Sequence, residues 1–368
     1  MPLPRIRDHL PALYHDLVPD VLTREVPPER KATCDRCSMC KETCDNLAEP
    51  VAAAQLFRAD TKCCTFHPRL PNYLVGALLC DEDEALAEGQ ARVRGRIRSR
   101  VGTTPQWLKP PAKFDLLYQS AHSAFGRSAA LRCPYYAEDS GRCTIWRYRE
   151  AVCSTYFCKY VAGADGQKLW TSIKAYVSLL ERQLSRYALL QVAPELVYAT
   201  LDEPGRPAGQ LDVADLEDQA PPAAEYAALW PGFVGREEEL YRACFQAVRA
   251  LGAADVERLL GLDGTLQLGA LERRYEAALS PKLPLRPRLN PAATIKHLPD
   301  GTIGIGAYSS FDALALPKEA LPLLMEFRGD EPAEAVRTRL RTESGMDFDD
   351  ELLVLLHQHR VLIEAERS

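Results

Sequence analysis

The chain has 368 residues, 46% apolar and 26% charged, with a formal net charge of −6. That length holds two or three domains with separate cores, and the composition is that of an ordinary globular protein. The negative balance argues against a dedicated nucleic-acid binder, which presents a basic surface.

No apolar run approaches a membrane span. The N-terminus, Met1 to His9, lacks the apolar core of a secretory signal, so the expected location is the cytoplasm. In that reducing compartment twelve cysteines read as metal ligands or buried thiols rather than a disulfide framework.

Residues 1–32 carry a short apolar pattern (Leu10, Leu13, Leu17, Val18, Val21) that predicts one or two short helices. Four thiols follow within one loop: Cys34, Cys37, Cys40 and Cys44. Short spacings of this kind let one loop offer several sulfurs to one centre. After a brief connection over Pro50–Phe57 comes the pair Cys63-Cys64, with His67 close behind. His67 reads as a ligand or proton carrier, or as a plain core or surface histidine. Leu74, Val75, Leu78 and Leu79 predict a helix face ending at Cys80.

Leu86, Val93, Ile97 and Val101 recur at helical spacing, with Arg92, Arg94, Arg96, Arg98 and Arg100 on the remaining faces. Those arginines read either as a patch for an anionic ligand or nucleic acid, or as a solvated face balanced by Asp81, Glu82, Asp83 and Glu84. The second thiol group, Cys133, Cys143, Cys153 and Cys158, lies among Tyr135, Tyr136, Trp146, Tyr148, Tyr156, Phe157 and Tyr160. Such aromatics serve as core or as a water-excluding shell around a metal.

Leu169, Ile173, Val177, Leu180, Leu184 and Tyr187 mark a long amphipathic helix. Residues 203–222 read as a linker, and helices are expected over Arg236–Leu251, with Cys244 a buried thiol, Ala254–Leu260 and Leu266–Leu279. Four prolines between Pro281 and Pro291 suggest a boundary. Strands are expected over Thr294–Leu298, Thr302–Tyr308 and Phe311–Leu316, the first two joined by the hairpin signal Pro299-Asp300-Gly301. Helices are then expected over Lys318–Phe327, Pro332–Leu340 with Asp330 as N-cap, and Asp349–His357; Val361–Ile363 closes the chain. His357 and His359 suit a helix C-terminus or plain exposure.

The expected fold is mainly α. A loop-rich cysteine-cluster metal domain spans 1–165, a helical extension 166–285, and a small α+β winged-helix-like domain 286–368. The candidate metal ligands are Cys34, Cys37, Cys40, Cys44, Cys63, Cys64, Cys133, Cys143, Cys153 and Cys158. The Cys34–Cys44 spacing is that of bacterial ferredoxins, with Asp45 in place of the usual proline, and it occurs once. Iron–sulfur, as 4Fe-4S, is the favoured group, and zinc is the alternative because Cys-x-x-Cys also builds zinc knuckles. The chain has no phosphate loop, nucleophile elbow or His-Glu-x-x-His, so no catalytic residue is assigned.

Cys34–Cys44, Cys133-Pro-Tyr-Tyr, Gly141–Cys153 and Phe157-Cys158 together resemble the YkgJ-type cysteine-cluster family of zinc- or iron-chelating domains, over roughly the first 160 residues. The departures are a doublet displaced to Cys63-Cys64, a wider closing pair and Trp146 in place of tyrosine; they leave Cys44, Cys63 and Cys64 as alternatives within the ligand set. The resemblance implies metal binding and no single reaction. A more distant cysteine-cluster protein, flagellin lysine methylase, brings redox or protein-modification chemistry into range; the other reading is a zinc-stabilised, non-catalytic binding module.

Residues 290–368, with Gly329–Val336 between the first two helices, resemble the PqqD-like peptide-recognition fold. That resemblance implies a peptide or protein partner, added as a strand along Phe311–Leu316 and packed on Leu352 and Leu356. Asp347, Asp349, Asp350 and Glu351 would repel phosphates and so disfavour nucleic acid.

Overall fold

The computed structural model describes residues 3–29, 37–40, 42, 56–197, 210–298 and 300–365. About 52% of the chain is helical and its sheets are small and antiparallel, the mainly α class expected. The chain divides into two units, the first of 1–26, 57–156 and 173–269, the second of 27–56, 157–172 and 270–368.

The first unit opens with three 3-10 turns, Ile6–His9, Ala12–Tyr14 and Asp20–Thr23, where one or two helices were expected. Strand β1 (Leu70–Pro71) pairs with β2 (Trp107–Leu108), and between them lie α1 (Asn72–Cys80) and α2 (Ala87–Ser99). Every residue of α1 except Cys80 is buried, because its face is apolar all round. Its one glycine admits a backbone: a Cβ on Gly76 would meet the Tyr241 carbonyl carbon at 2.5 Å. Helix α3 (Ala112–Ser120) precedes the hairpin of β3 (Tyr136–Ala137) and β4 (Arg142–Cys143), and α4 (Ala151–Thr155) follows.

Helix α5 (Gly163–Val192) is the long helix the apolar spacing predicted, extended at both ends. The stretch read as a linker carries a helical turn, α6 (Val213–Leu216), because Asp212 and Asp215 cap it reciprocally; residues 203–209 lie outside the described residues. Then come α7 (Ala223–Leu229), α8 (Glu237–Arg249) and α9 (Ala253–Leu279). The two helices expected over 254–279 meet at Gly261, whose φ of 53° breaks the helical path.

In the second unit β6 (Thr294–His297), β7 (Thr302–Gly306) and β8 (Leu314–Pro317) form a three-stranded antiparallel meander. The third strand starts at Leu314, not Phe311, because Asp312 is held by the Tyr308 hydroxyl and the Tyr160 amide. A further pair went unforeseen: β5 (Pro287–Leu289) with β9 (Leu362–Glu364). Proline is compatible with the first position of such an edge strand.

Helices α10 (Ala320–Leu324), α11 (Ala333–Ser344) and α12 (Asp350–Gln358) complete the unit. The N-cap of α11 is Pro332, not Asp330, and no side chain caps it. Asp349 does cap α12, accepting from the Leu352 amide at 2.8 Å. Ile305, Leu324, Phe327, Val336, Leu340, Phe348, Leu353 and Leu356 form the core.

Candidate metal centre

Cys34 and Cys44 lie outside the described residues. Of the remaining candidates, Cys63, Cys64, Cys133, Cys143 and Cys153 belong to the first unit, and Cys37, Cys40 and Cys158 to the second. In the second unit Cys37 and Cys40 are buried in one turn, the Cys40 amide donating to the Cys37 carbonyl at 3.1 Å, and Cys158 is buried too.

The first-unit thiols are assembled by backbone. The Cys63-Cys64 turn is fixed by two threonines: Thr61 donates to the Gly126 carbonyl at 2.9 Å, and Thr65 Oγ1 accepts from the Gly126 amide at 2.6 Å. From that turn the Cys64 carbonyl accepts the Cys133 amide at 2.8 Å. Register then brings in Cys143, which stands opposite Tyr136 in the β3–β4 hairpin. Thr144 closes the link by donating both its amide and its hydroxyl to the Tyr135 carbonyl, each at 2.9 Å.

Cys153 arrives on α4, a helix of five residues. So short a helix leaves all its N-terminal amides unpaired unless a side chain takes them. Glu150 does so, accepting from the Val152 amide at 2.6 Å and the Cys153 amide at 3.0 Å.

Charge effects show which thiols lie near one another. Burial pushes the Cys133 thiol up, and Cys143 and then Cys63 push it further, against Arg92. Burial also raises Cys153, with Glu150, Cys133 and Cys143 adding to it. Cys133 is therefore the electrostatic neighbour of Cys63, Cys143 and Cys153, and Cys143 of Cys153 as well, the four coming from separate segments. Among the described residues no three His, Cys, Asp or Glu side chains already form a cage able to hold an ion. The donor set itself, four thiols, fits an all-cysteine zinc site or a four-iron cluster.

His67 is a core histidine. Its ring packs edge-on against Phe114 and Tyr135 at centroid distances of 5.4 and 6.0 Å. Burial, then Arg96, pulls its pKa down to about 3, so it is neutral. His359 is buried at the α12 C-cap rather than exposed, and His357 is half-buried with Nδ1 3.2 Å from the Leu362 carbonyl. Cys244 is fully buried as expected, its thiol pushed up to about 12 by burial. Cys80 accepts from Arg242 Nη1 at 3.4 Å.

The arginines of α2 do not share one role. Arg92 pairs with Glu88 and the Pro134 carbonyl, and Arg94 with Glu238. Arg100 lies over the Tyr226 ring at 4.7 Å. The acidic run upstream is engaged elsewhere: Asp83 by Arg147 and Asp81 by the Tyr148 hydroxyl.

Two groups escaped sequence reading. One is Glu150, whose place three residues before Cys153 resembles a cap only once α4 is seen. The other is a buried set in which the Tyr14 and Tyr73 hydroxyls meet at 2.7 Å and Tyr14 donates to Glu181 at 3.1 Å. No family model, curated protein or solved structure compared with this chain matches it. Among the described residues no helix is long and apolar enough to cross a membrane.

Proposed function

We propose that the chain is a thiolate metalloprotein of the YkgJ-like kind, with Cys63, Cys133, Cys143 and Cys153 as one ligand set. Cys37, Cys40 and Cys158, with Cys34 and Cys44 from outside the described residues, supply a second; Cys64 sits beside the first set, its carbonyl accepting the Cys133 amide. The observation that carries this reading is that Cys133 is the electrostatic neighbour of Cys63, Cys143 and Cys153, each from a different segment of the first unit. An iron–sulfur cluster, the favoured group, would supply one-electron chemistry when bound, whereas zinc would supply folding energy alone.

The chain's own residues do the positioning. Glu150 orients Cys153 through its amide, the β3–β4 register fixes Cys143, and Tyr135 with Phe114 and His67 keeps water from one side. Redox or protein-modification chemistry is the reaction class that suits such a centre; a zinc-stabilised binding module is the alternative.

We assign a peptide partner to the winged-helix-like second unit, by strand addition at the β8 edge of the meander. The helical surface first expected beside it is revised: Leu356 lies in the core with Leu352 packed against it, and Leu355 faces outward. The acidic residues of α12 are partly neutralised, Asp350 by Arg337 and Asp347 by Arg341. Their net effect still disfavours phosphate.

Anaerobic purification followed by iron, zinc and acid-labile sulfide analysis tests the proposal. Iron with matching sulfide is expected. Stoichiometric zinc without sulfide would transfer the reading to the binding module, and a metal-free protein would overturn both.

A further inference from the structure

Among the buried polar atoms of the first unit that make no well-formed hydrogen bond are His67 Nε2, Tyr135 Oη and Arg96 Nε. They come from three separate segments, yet they are neighbours. The Tyr135 and His67 rings are in contact, and the Arg96 guanidinium acts electrostatically on both and lies within loose hydrogen-bonding reach of the Tyr135 side chain. His67 is 4% exposed and Tyr135 is fully buried. Buried polar groups are almost always paired, and each that is not calls for a partner such as a water, an ion or a ligand.

Their chemistry narrows the partner. Arg96 Nη2 is already committed to the Val101 and Lys109 carbonyls, at 2.9 and 2.8 Å. Its Nε–H is therefore held in a fixed direction while unspent. No carboxylate of the described residues pairs with this largely buried cation, Asp218 acting on it only from a distance. A buried cation with no carboxylate beside it is costly. Beside it stand one hydroxyl and one imidazole nitrogen, and an acceptor able to take bonds from a guanidinium and a phenol is an anionic oxygen.

We infer that His67, Tyr135 and Arg96 form a binding site for a small oxyanion, such as the carboxylate of a larger ligand, next to the Cys133 and Cys143 thiols. The adjacency follows from the two thiols acting on Tyr135, and Cys133 on Arg96 as well. The site stands on the polar atoms alone and does not depend on the metal reading.

The test uses the full chain as purified, with its metal content recorded, titrated with formate and separately with inorganic phosphate. Binding is followed by calorimetry and by the thermal midpoint. Formate is expected to bind and to raise the midpoint. Tyr135→Phe, which deletes only the hydroxyl, is expected to weaken it about tenfold, the ordinary effect of losing one hydrogen bond to a charged group. His67→Phe keeps the ring packing and removes the nitrogen, with an effect of similar size.

Arg96→Gln should abolish binding. Because Arg96 also ties two carbonyls, its result counts only alongside the other two variants. Formate affinity unchanged in both Tyr135→Phe and His67→Phe would overturn the inference. So would no binding by the intact protein, as expected if one buried water satisfies the three atoms. A loss of metal in Arg96→Gln with no anion binding in any protein would make Arg96 a counter-charge to the thiols, again overturning it.

Discussion

Replacing Glu29 by glutamine should change how the second unit responds to pH. The Glu29 carboxyl is buried, accepting from Trp170 Nε1 and from the Val161 amide, both at 2.8 Å. It thereby ties down the segment that immediately follows Cys158. Burial raises its pKa from an ordinary 4.5 to about 7, with Asp312 adding and the two hydrogen bonds opposing. Tyr160 is the other titratable group beside it.

The folded unit thus holds this proton more tightly than the unfolded chain does. Its contribution is complete below about pH 4.5 and is lost as pH rises through about 7. At about 1.4 kcal/mol per pH unit that is roughly 3 kcal/mol. Glutamine cannot titrate, and it leaves one of the two donors without an oxygen, costing about 1–3 kcal/mol at every pH.

Urea denaturation of both proteins from pH 4.5 to 8 measures the difference. Trp170 is the one tryptophan of the second unit, so its fluorescence reports the transition. The wild-type advantage should be largest at the acid end and shrink by roughly 3 kcal/mol toward pH 8. Parallel stability curves across that range would refute the argument.

Other substitutions separate ligands from packing. Cys153→Ala should lower bound metal and thermal stability together, whereas Cys244→Ala, which trims a buried side chain of α8, should cost about 1 kcal/mol and leave metal content intact; metal loading that responds equally to both would remove Cys153 from the ligand set. Gly76→Ala should destabilise by about 2 kcal/mol or more, since its methyl meets the backbone at Tyr241 and neither helix can yield without the other; an unchanged denaturation midpoint would show that α1 and α8 can part cheaply.

What the sequence discloses here follows the range of the interaction. Helix α1 and the long α5 are legible because their apolar spacing is local, and the break at Gly261 is legible because glycine marks it. The β5–β9 pair is not, because its two strands lie more than seventy positions apart and one of them sits in a proline-rich stretch. Arg96 shows the same limit within one helix. Arginines at every second position of α2 wind around all its faces, so nothing local says which one turns inward toward Tyr135. The cysteines announce themselves by number, but their grouping does not: Cys63 joins Cys133 because the Cys133 amide donates to the carbonyl of neighbouring Cys64, a contact of tertiary origin.

That grouping also bears on what keeps the first unit folded around its thiols. Strands β3 and β4 have two residues each and α4 has five, lengths that contribute little stability of their own. Burial and neighbouring thiols push up Cys133 and Cys153, so in the absence of a cation these two are neutral and give no electrostatic reason to stay together. A bound cation reverses that logic, since each ligand sulfur must release its proton and the repulsion becomes attraction. Assembly of the centre and folding of this loop-rich region are then one equilibrium. Its cost is the protons released, so metal affinity should fall as pH falls, with a slope set by the number of thiols that must give up a proton.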